Sequence, residues 1–348
     1  MAGPGPSTWA VDTEGVRTYQ IAEAIWRLRL PLPWPGIPAV NSYVLALDSG
    51  GVALVDCGGG GDPSCHVALA SALAEVGHRV EDVRLIVLTH YHSDHAGALQ
   101  WLRERSGCEV AGHPDYAHFT DGGERPAEVM AARRRRAEAE SVPADELDEV
   151  SSTIEETDGV DAPVHPGLDL RNGHTIASAA GTWRVLETPG HCPSHVCLHE
   201  PDRRILIVGD LLSQEFHPWF DYGYSADPVA ETFASLQLVG RLGEQRLVLP
   251  GHGRPLDDTP ALIDRHRVGI ADRLRQVREA VASGAGNGYA ITTAVFGAGL
   301  DSSNLAFRLT EVLAYLRHER LAGRVVRETG ADGRFRYALS AAGQTAAA

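Results

Sequence analysis

Residues 89 to 97 read THYHSDHAG, with three histidines and an aspartate between positions 90 and 95, directly after the apolar run Val83, Leu85, Ile86, Val87 and Leu88. His90 and His92 are two apart, so they point the same way from an extended segment. Asp94 and His95 follow where the chain is expected to turn into a helix. Imidazole and carboxylate together suit zinc, iron and manganese. A polar turn that merely capped a buried strand would have to find a separate hydrogen-bond partner for each of these groups.

Three later signals stand where other apolar runs end. TPGH closes on His191 after WRVLE, GD closes on Asp210 after ILIV, and PGH closes on His252 after LVL. Ligands at the ends of buried strands sit on rigid supports, which metal geometry requires. Each signal alone is weak, because a lone histidine at a strand end is commonly a surface or hydrogen-bonded residue. Their conjunction with the first cluster gives them weight.

The elements that must hold these residues alternate between strand and helix. SYVLALDSGGVALVDCGGG reads as a hairpin with a glycine-rich exit, and the proline-rich PLPWPGIPAVN before it must be extended or looped. A helix is expected over 64–77, a buried strand at VRLIVLT, a helix over 95–106 and a strand at EVAGH. Strands resume at HTIASA and TWRVLE, VCLHEPDRRILIVGD is a hairpin, 228–243 is helical, and RLVLPG is a last buried strand. This alternation implies an α/β sandwich. Residues 114–168 interrupt it with RRRRAEAE and an acidic stretch, and read as a mostly helical insertion. Arg133 to Arg136 form either a solvated helix face or a lid or patch for an anionic substrate group. After residue 260 the pattern changes: helices over 261–282 and 303–321, a shorter one at YAITTAVFG, then a hairpin turning at Gly330 to Gly333. Helices followed by a hairpin make a winged helix-turn-helix. Leu305, Leu309, Val312, Leu313 and Leu316 form one stripe of the 303–321 helix.

The 348 residues leave room for more than one domain, and 43% hydrophobic and 22% charged residues are ordinary for a globular protein. No run approaches about 18 apolar residues, so no membrane span is expected, and no secretory signal opens the chain; a cytoplasmic location is expected. The five cysteines, Cys57, Cys65, Cys108, Cys192 and Cys197, form no CxxC pair and are odd in number, which argues for inert buried thiols over a disulfide framework. No lysine occurs, which excludes Schiff-base chemistry. A net charge of −15 disfavours coating nucleic acid or an anionic membrane. The acidity is uneven: 12 arginines against 8 acidic residues follow position 261, and this shift suggests a boundary near residue 260.

The order HxHxDH, TPGH, GD, GH resembles the metallo-β-lactamase-fold hydrolase superfamily. That resemblance implies an αββα sandwich over 17–260 with the site at one edge of its two sheets, the 114–168 insertion, and a small winged-helix domain over 261–340. It implies two divalent metal ions, zinc first, with iron or manganese as alternatives. His90, His92 and His191 would hold one; Asp94, His95 and His252 the other; Asp210 would bridge them. Asp56, in VALVDCG, matches the family's buried acid and would orient a ligand histidine. The bridging aspartate and the missing export signal set the chain apart from the family's β-lactamases, while TPGHCPSHV resembles the glyoxalase II branch and the C-terminal module resembles the β-lactamase-like 2 branch.

The expected reaction is hydrolysis of a small thioester, ester or lactone by a hydroxide held between two metals about 3.5–4 Å apart, with Asp94 and Asp210 as the catalytic carboxylates. His217, Tyr222 and Tyr224, in FHPWFDYGYS, could line the substrate pocket, although ordinary loop packing explains each of them too. His195 and His199 are expected to make structural hydrogen bonds. The insertion is expected to cover the mouth. Competing readings are a nuclease, which the winged helix keeps open; an iron-dependent sulfur dioxygenase, which shares much of the ligand pattern; and a non-enzymatic binding module. The winged helix could equally pack on the catalytic domain or mediate a homodimer.

Overall fold

The computed structural model describes residues 18–32, 37–119, 126–152 and 160–347. Parts of the proline-rich stretch (33–36) and of the insertion (120–125 and 153–159) lie outside the described residues, as does residue 17. Seven strands lie side by side in chain order: β1 (Thr18–Ala22), β2 (Ile25–Pro31), β3 (Ala39–Ala46), β4 (Val52–Val55), β5 (Val83–Val87), β6 (Glu109–Gly112) and β7 (Leu168–Asp169). The first four are antiparallel; β4 to β7 are parallel. A second sheet orders β12 (Leu247–Pro250), β11 (Ile205–Gly209), β10 (Val196–Glu200), β9 (Gly181–Glu187) and β8 (Thr175–Ser178).

Alternation along the strands builds the layers. Tyr43, Leu45, Val87, Val196, Leu198, Ile205 and Ile207 share the apolar core between the sheets. Their neighbours point the other way. Val40, Val44 and Ile86 meet α1 (Pro63–Glu75) and α3 (Leu99–Ser106) through Leu69, Leu73, Leu99 and Leu102. Cys197, Leu206 and Val208 meet α6 (Pro228–Gly240) through Val229, Leu236 and Val239. Strands buried on both faces need side chains that are apolar at every position, and ILIV and VLAL supply them. The result is the expected αββα sandwich. The short helix α2 (Ser93–Ala96) precedes α3, so the helix expected over 95–106 is broken at Gly97. The insertion contributes α4 (Pro126–Ala139) and α5 (Leu147–Ser152).

One capping device recurs. Asp62, Asp227, Asp258 and Asp301 accept backbone N–H bonds at the starts of α1, α6, α7 (Thr259–Ala282) and α9 (Ser302–Leu321), each worth about 1 kcal/mol. Asp227 also receives His318 Nδ1 of α9 at 3.0 Å, which ties the two helices together.

After α7 come α8 (Gly288–Phe296), α9, the hairpin β13 (Val325–Thr329) and β14 (Phe335–Leu339), and α10 (Ala341–Ala347). The sequence predicts one apolar stripe on α9. The helix is instead buried on most of its surface: Ala306, Glu311, Ala314, Tyr315 and Glu319 are buried along with the stripe. It lies among α5, α6, α7 and α8, so two opposite faces meet protein. Its buried carboxylates are matched by arginines: Arg308 and Arg273 on Glu311, Arg278 and Arg324 on Glu319. Leu309, Val312, Val325 and Tyr337 share one apolar cluster with Leu206 and Val208 of the second sheet. Among the described residues, no helix is long and apolar enough to cross a membrane.

Candidate metal centre

All the predicted ligands lie just past strand ends on one edge of the sandwich. Because β9, β11 and β12 run in the same direction, the residues after them, His191, Asp210 and His252, converge. From the other sheet come Asp56 after β4 and His90, His92, Asp94 and His95 after β5. The sheets are pinned together at this edge: Val196 N–H donates to Thr89 O at 2.7 Å, Asn41 N–H to Gly251 O at 2.7 Å, and Tyr43 O–H to Pro250 O at 2.6 Å. The glycine-rich exit of β4 grips α2, with Cys57 N–H donating to His95 O at 2.7 Å and Gly97 N–H to Gly58 O at 2.9 Å.

Two triads result. The ligand atoms of His90, His92 and His191 lie within 4.8 Å of one another, and those of Asp94, His95 and His252 do likewise. Asp210 stands between them: Oδ1 is 3.4 Å from His95 Nε2, and Oδ2 is 3.6 Å from His191 Nε2 and 3.5 Å from His252 Nε2. Glycine at 251 is required by this approach, since a Cβ there would collide with Asp210 Oδ1 and His95 Cε1.

Four of the five histidines are held by a second nitrogen. Thr89 Oγ1 lies 3.0 Å from His90 Nδ1, and His95 Nδ1 is 2.8 Å from Asp56 Oδ2. His252 Nδ1 donates to Ala39 O at 2.9 Å. His92 is reversed: Nε2 meets Asp221 Oδ2 at 3.0 Å, and Nδ1 faces His191 Nε2 at 2.8 Å. Such outer partners fix which nitrogen faces inward. Asp56 itself accepts from Thr89 N–H and Thr89 Oγ1–H, both at 2.7 Å, and adopts a left-handed backbone with φ 59°.

The donor set fits cations. His90 Nε2, His95 Nε2 and Asp210 Oδ1 are buried polar atoms with no hydrogen-bond partner, all directed into the cluster. Two imidazole nitrogens facing each other at 2.8 Å need a proton or a metal between them. The electrostatics agree. Burial pushes the His252 pKa down, but Asp210 and Asp94 outweigh it and raise the value to about 10. His95 is likewise raised against burial by Asp94, Asp210 and Asp56. Burial opposes ionisation of Asp94, yet His95 and His252 hold it at about 2. Carboxylates that draw protons onto neighbouring imidazoles also attract metal ions.

Asp221 escaped the sequence reading. It lies in FHPWFDYGYS, which was read for its aromatics, and nothing in the spacing ties it to His92, 129 positions away. Trp219 Nε1–H donates to its Oδ1 at 3.1 Å. His118 is a second such residue: it is buried, with Nε2 3.2 Å from Ser194 Oγ and 3.9 Å from Asp221 Oδ2. Asp221→Ala is expected to weaken metal binding by about 10–100-fold, measured by competition with a chromophoric chelator; unchanged affinity would remove Asp221 from the centre's support.

Other expected residues fall as follows. Tyr222 and Tyr224 line a cavity of about 360 Å³ whose wall includes Asp221. His217 is absent from that wall and pairs with Glu215 at 3.2 Å. His195 accepts from Asp210 N–H at 3.1 Å and bonds Thr188 Oγ1 at 2.8 Å, and His199 bonds Gln245 Oε1 at 3.1 Å. All five cysteines are buried and free.

A model of the metallo-beta-lactamase superfamily matches residues 35–252, well over half the chain. The chain belongs to the metallo-beta-lactamase superfamily. A model of the metallo-beta-lactamase-like C-terminal domain matches residues 274–340. The chain is 29% identical over 265 residues to the probable metallo-hydrolase YqjP of Bacillus subtilis, covering 74% of this chain and 80% of that one. It is 29% identical over 182 residues to the acyl-coenzyme A thioesterase MBLAC2 of Bos taurus, covering 48% of this chain and 55% of that one. The crystal structure of a beta-lactamase domain protein from Burkholderia ambifaria superposes with a TM-score of 0.80 at 30% identity, covering 93% of this chain and 94% of that one. Superfamily relatives are metallo-hydrolases, and the His/Asp cluster of this member fits a metal site.

The histidines give the chelated protein a two-sided pH profile. Burial lowers His195 and His118 from 6.5 to about 4. Their folded pKa values are depressed, so their stabilisation is present above pH 6.5 and lost as pH falls through about 4. His252 is raised to about 10, so its contribution is complete below 6.5 and lost as pH rises through about 10. Urea midpoints of the chelated protein should therefore peak near pH 6.5, and a midpoint flat from 4 to 9 would contradict these assignments.

Proposed function

We propose that the chain is a dinuclear metal-dependent hydrolase of thioesters, with His90, His92 and His191 holding one ion, Asp94, His95 and His252 the other, and Asp210 bridging. Zinc is the expected metal, with iron and manganese as alternatives. The observation that carries this is the position of Asp210, whose two oxygens reach both triads from a half-buried position. Divalent ions in such a site supply Lewis acidity, bringing the pKa of water towards neutrality and polarising a carbonyl.

The protein's own groups do the rest. Asp94 and Asp210, kept ionised by His95 and His252, can accept a hydrogen bond from the attacking water and take its proton. Asp56 and Asp221 hold His95 and His92 so that those imidazoles stay in place through the reaction. Water adds to the acyl carbon, the carbon–sulfur bond breaks, and the products are a carboxylic acid and a thiol. None of the five buried cysteines is needed as a nucleophile.

The relationship to a thioesterase of the same superfamily supports a thioester over other acyl substrates. Residues 17–260 would form the catalytic domain and 261–340 a winged-helix module. The burial of α9 favours packing of that module on the catalytic domain over reading of a nucleic-acid groove, where such a helix has to be exposed. The test is thiol release from a panel of acyl thioesters, run beside lactones and RNA. Chelator-sensitive thioester turnover is expected; cleavage of RNA alone would replace this reading with the nuclease.

A further inference from the structure

The cavity next to the centre is built by three separate parts of the chain: α4 and α5 of the insertion, the 219–224 loop that follows Asp210, and α9. Asp221 belongs to its wall and bonds His92, so the cavity adjoins the candidate metal centre. Arg133, Arg135 and Arg136 line it from α4. In a chain of net charge −15, these three guanidinium groups outnumber the two carboxylates of the lining, Glu128 and Asp221.

Arg136 is the most telling of the three. It lies over the ring of Tyr222 at 5.1 Å, and no carboxylate pairs with it among the described residues. Burial, then Tyr222, Arg133 and Tyr224, dominate its surroundings, and its pKa is lowered. Arg134, on the same helix but outside the cavity wall, is by contrast paired with Glu138 and Asp148. Of the two carboxylates in the lining, Glu128 and Asp221, Asp221 is already committed to His92 and Trp219. A half-buried guanidinium without an anion is costly unless a ligand supplies one.

The helix that carries these arginines is braced. Glu140, buried just past its end, accepts Tyr337 O–H at 2.8 Å and Gly288 N–H at 3.1 Å, while its carbonyl accepts Tyr289 N–H at 3.0 Å. The C-terminal segment thus fixes α4 and also supplies the facing apolar wall through Leu309 and Leu313. Several arginines on an amphipathic wall suit a phosphate at the end of a flexible arm, since one carboxylate is satisfied by a single bidentate guanidinium. A volume of about 360 Å³ lies at the small end of ligand pockets, roughly 300–1,000 Å³, and accepts an arm of the substrate without a whole nucleotide.

We propose that this cavity binds the phosphate-bearing thiol arm of the substrate, a thiol of the phosphopantetheine class, with Arg136 as the principal anion contact and Arg133 and Arg135 completing the site. The proposal rests on the thioester reading and identifies the leaving group. Calorimetric titration of the metal-loaded protein with S-methyl coenzyme A, which cannot be hydrolysed, tests it independently of turnover. Binding is expected, weakened about tenfold or more in Arg136→Gln and less in the exposed Arg135→Gln, which serves if the first variant does not fold. Equal affinity in wild type and Arg135→Gln together with Arg136→Gln, or no binding at all, would overturn the proposal. The glutaryl thioester of N-acetylcysteamine is the second arm: a preference for it over the acetyl thioester that Arg136→Gln removes would move the anion to the acyl side and overturn the thiol assignment. Wild-type turnover of the uncharged acetyl thioester tests the thioester reading alone, so the two failures are distinguishable.

Discussion

Asp210→Asn should leave a folded protein whose thioester turnover falls by about 10³-fold or more. Among the described residues, the carboxylate is the one group within 3.6 Å of His95, His191 and His252 at once, so its loss acts on both candidate sites. Asparagine keeps the volume that Gly251 leaves open and the backbone N–H that donates to His195. It removes a charge that raises His252, so the alkaline loss of stability in the chelated variant should be smaller and complete at a lower pH. Titration of metal with and without the substitution, beside steady-state rates, checks both effects. Turnover within tenfold of wild type would take Asp210 out of the reaction.

Asp56→Ala is expected to cost stability as well as activity. Its carboxylate accepts Thr89 N–H and Thr89 O–H and meets His95 Nδ1, all in a site closed to solvent. Removing it strands these groups, and breaking a buried charge pair typically costs about 3–5 kcal/mol. Metal affinity should fall by about 10–100-fold, because His95 loses the group that sets its tautomer. Urea unfolding of the metal-loaded and chelated forms separates the two effects. A variant with wild-type midpoint and wild-type metal affinity would contradict the role assigned to Asp56. The left-handed φ of 59° at this position shows that the turn is shaped around the carboxylate, since a strained backbone of this kind persists only where its surroundings enforce it.

Much of this was legible because the sequence writes rigid features locally. Strands buried on both faces appear as unbroken apolar runs, and the run of four potential ligands from His90 to His95 needs no partner to be noticed. Asp56, at the exit of VALV, was legible only through the resemblance to the family's buried acid. Asp221 was not, because a loop brings it to the centre and loops carry no periodicity; His118 was not, because it lies outside every motif. The burial of α9 was hidden too: its glutamates, Glu311 and Glu319, break the apolar pattern, yet Arg273, Arg278, Arg308 and Arg324 neutralise them inside the protein. The four arginines of the insertion show the same limit. Composition favours a solvated face and leaves an anion patch as the alternative. Only the fold separates Arg134, paired on the outer side, from Arg136, turned onto Tyr222 beside the cavity.

The central claim is that two metal ions work side by side in this cluster. Elemental analysis of protein purified without added metal or chelator tests it most directly, with thioester turnover followed as the metal is withdrawn and restored. Two zinc or manganese ions per chain, and turnover that returns only as the second ion is replaced, is the predicted result. One iron per chain with oxygen uptake would contradict it and point to the dioxygenase reading.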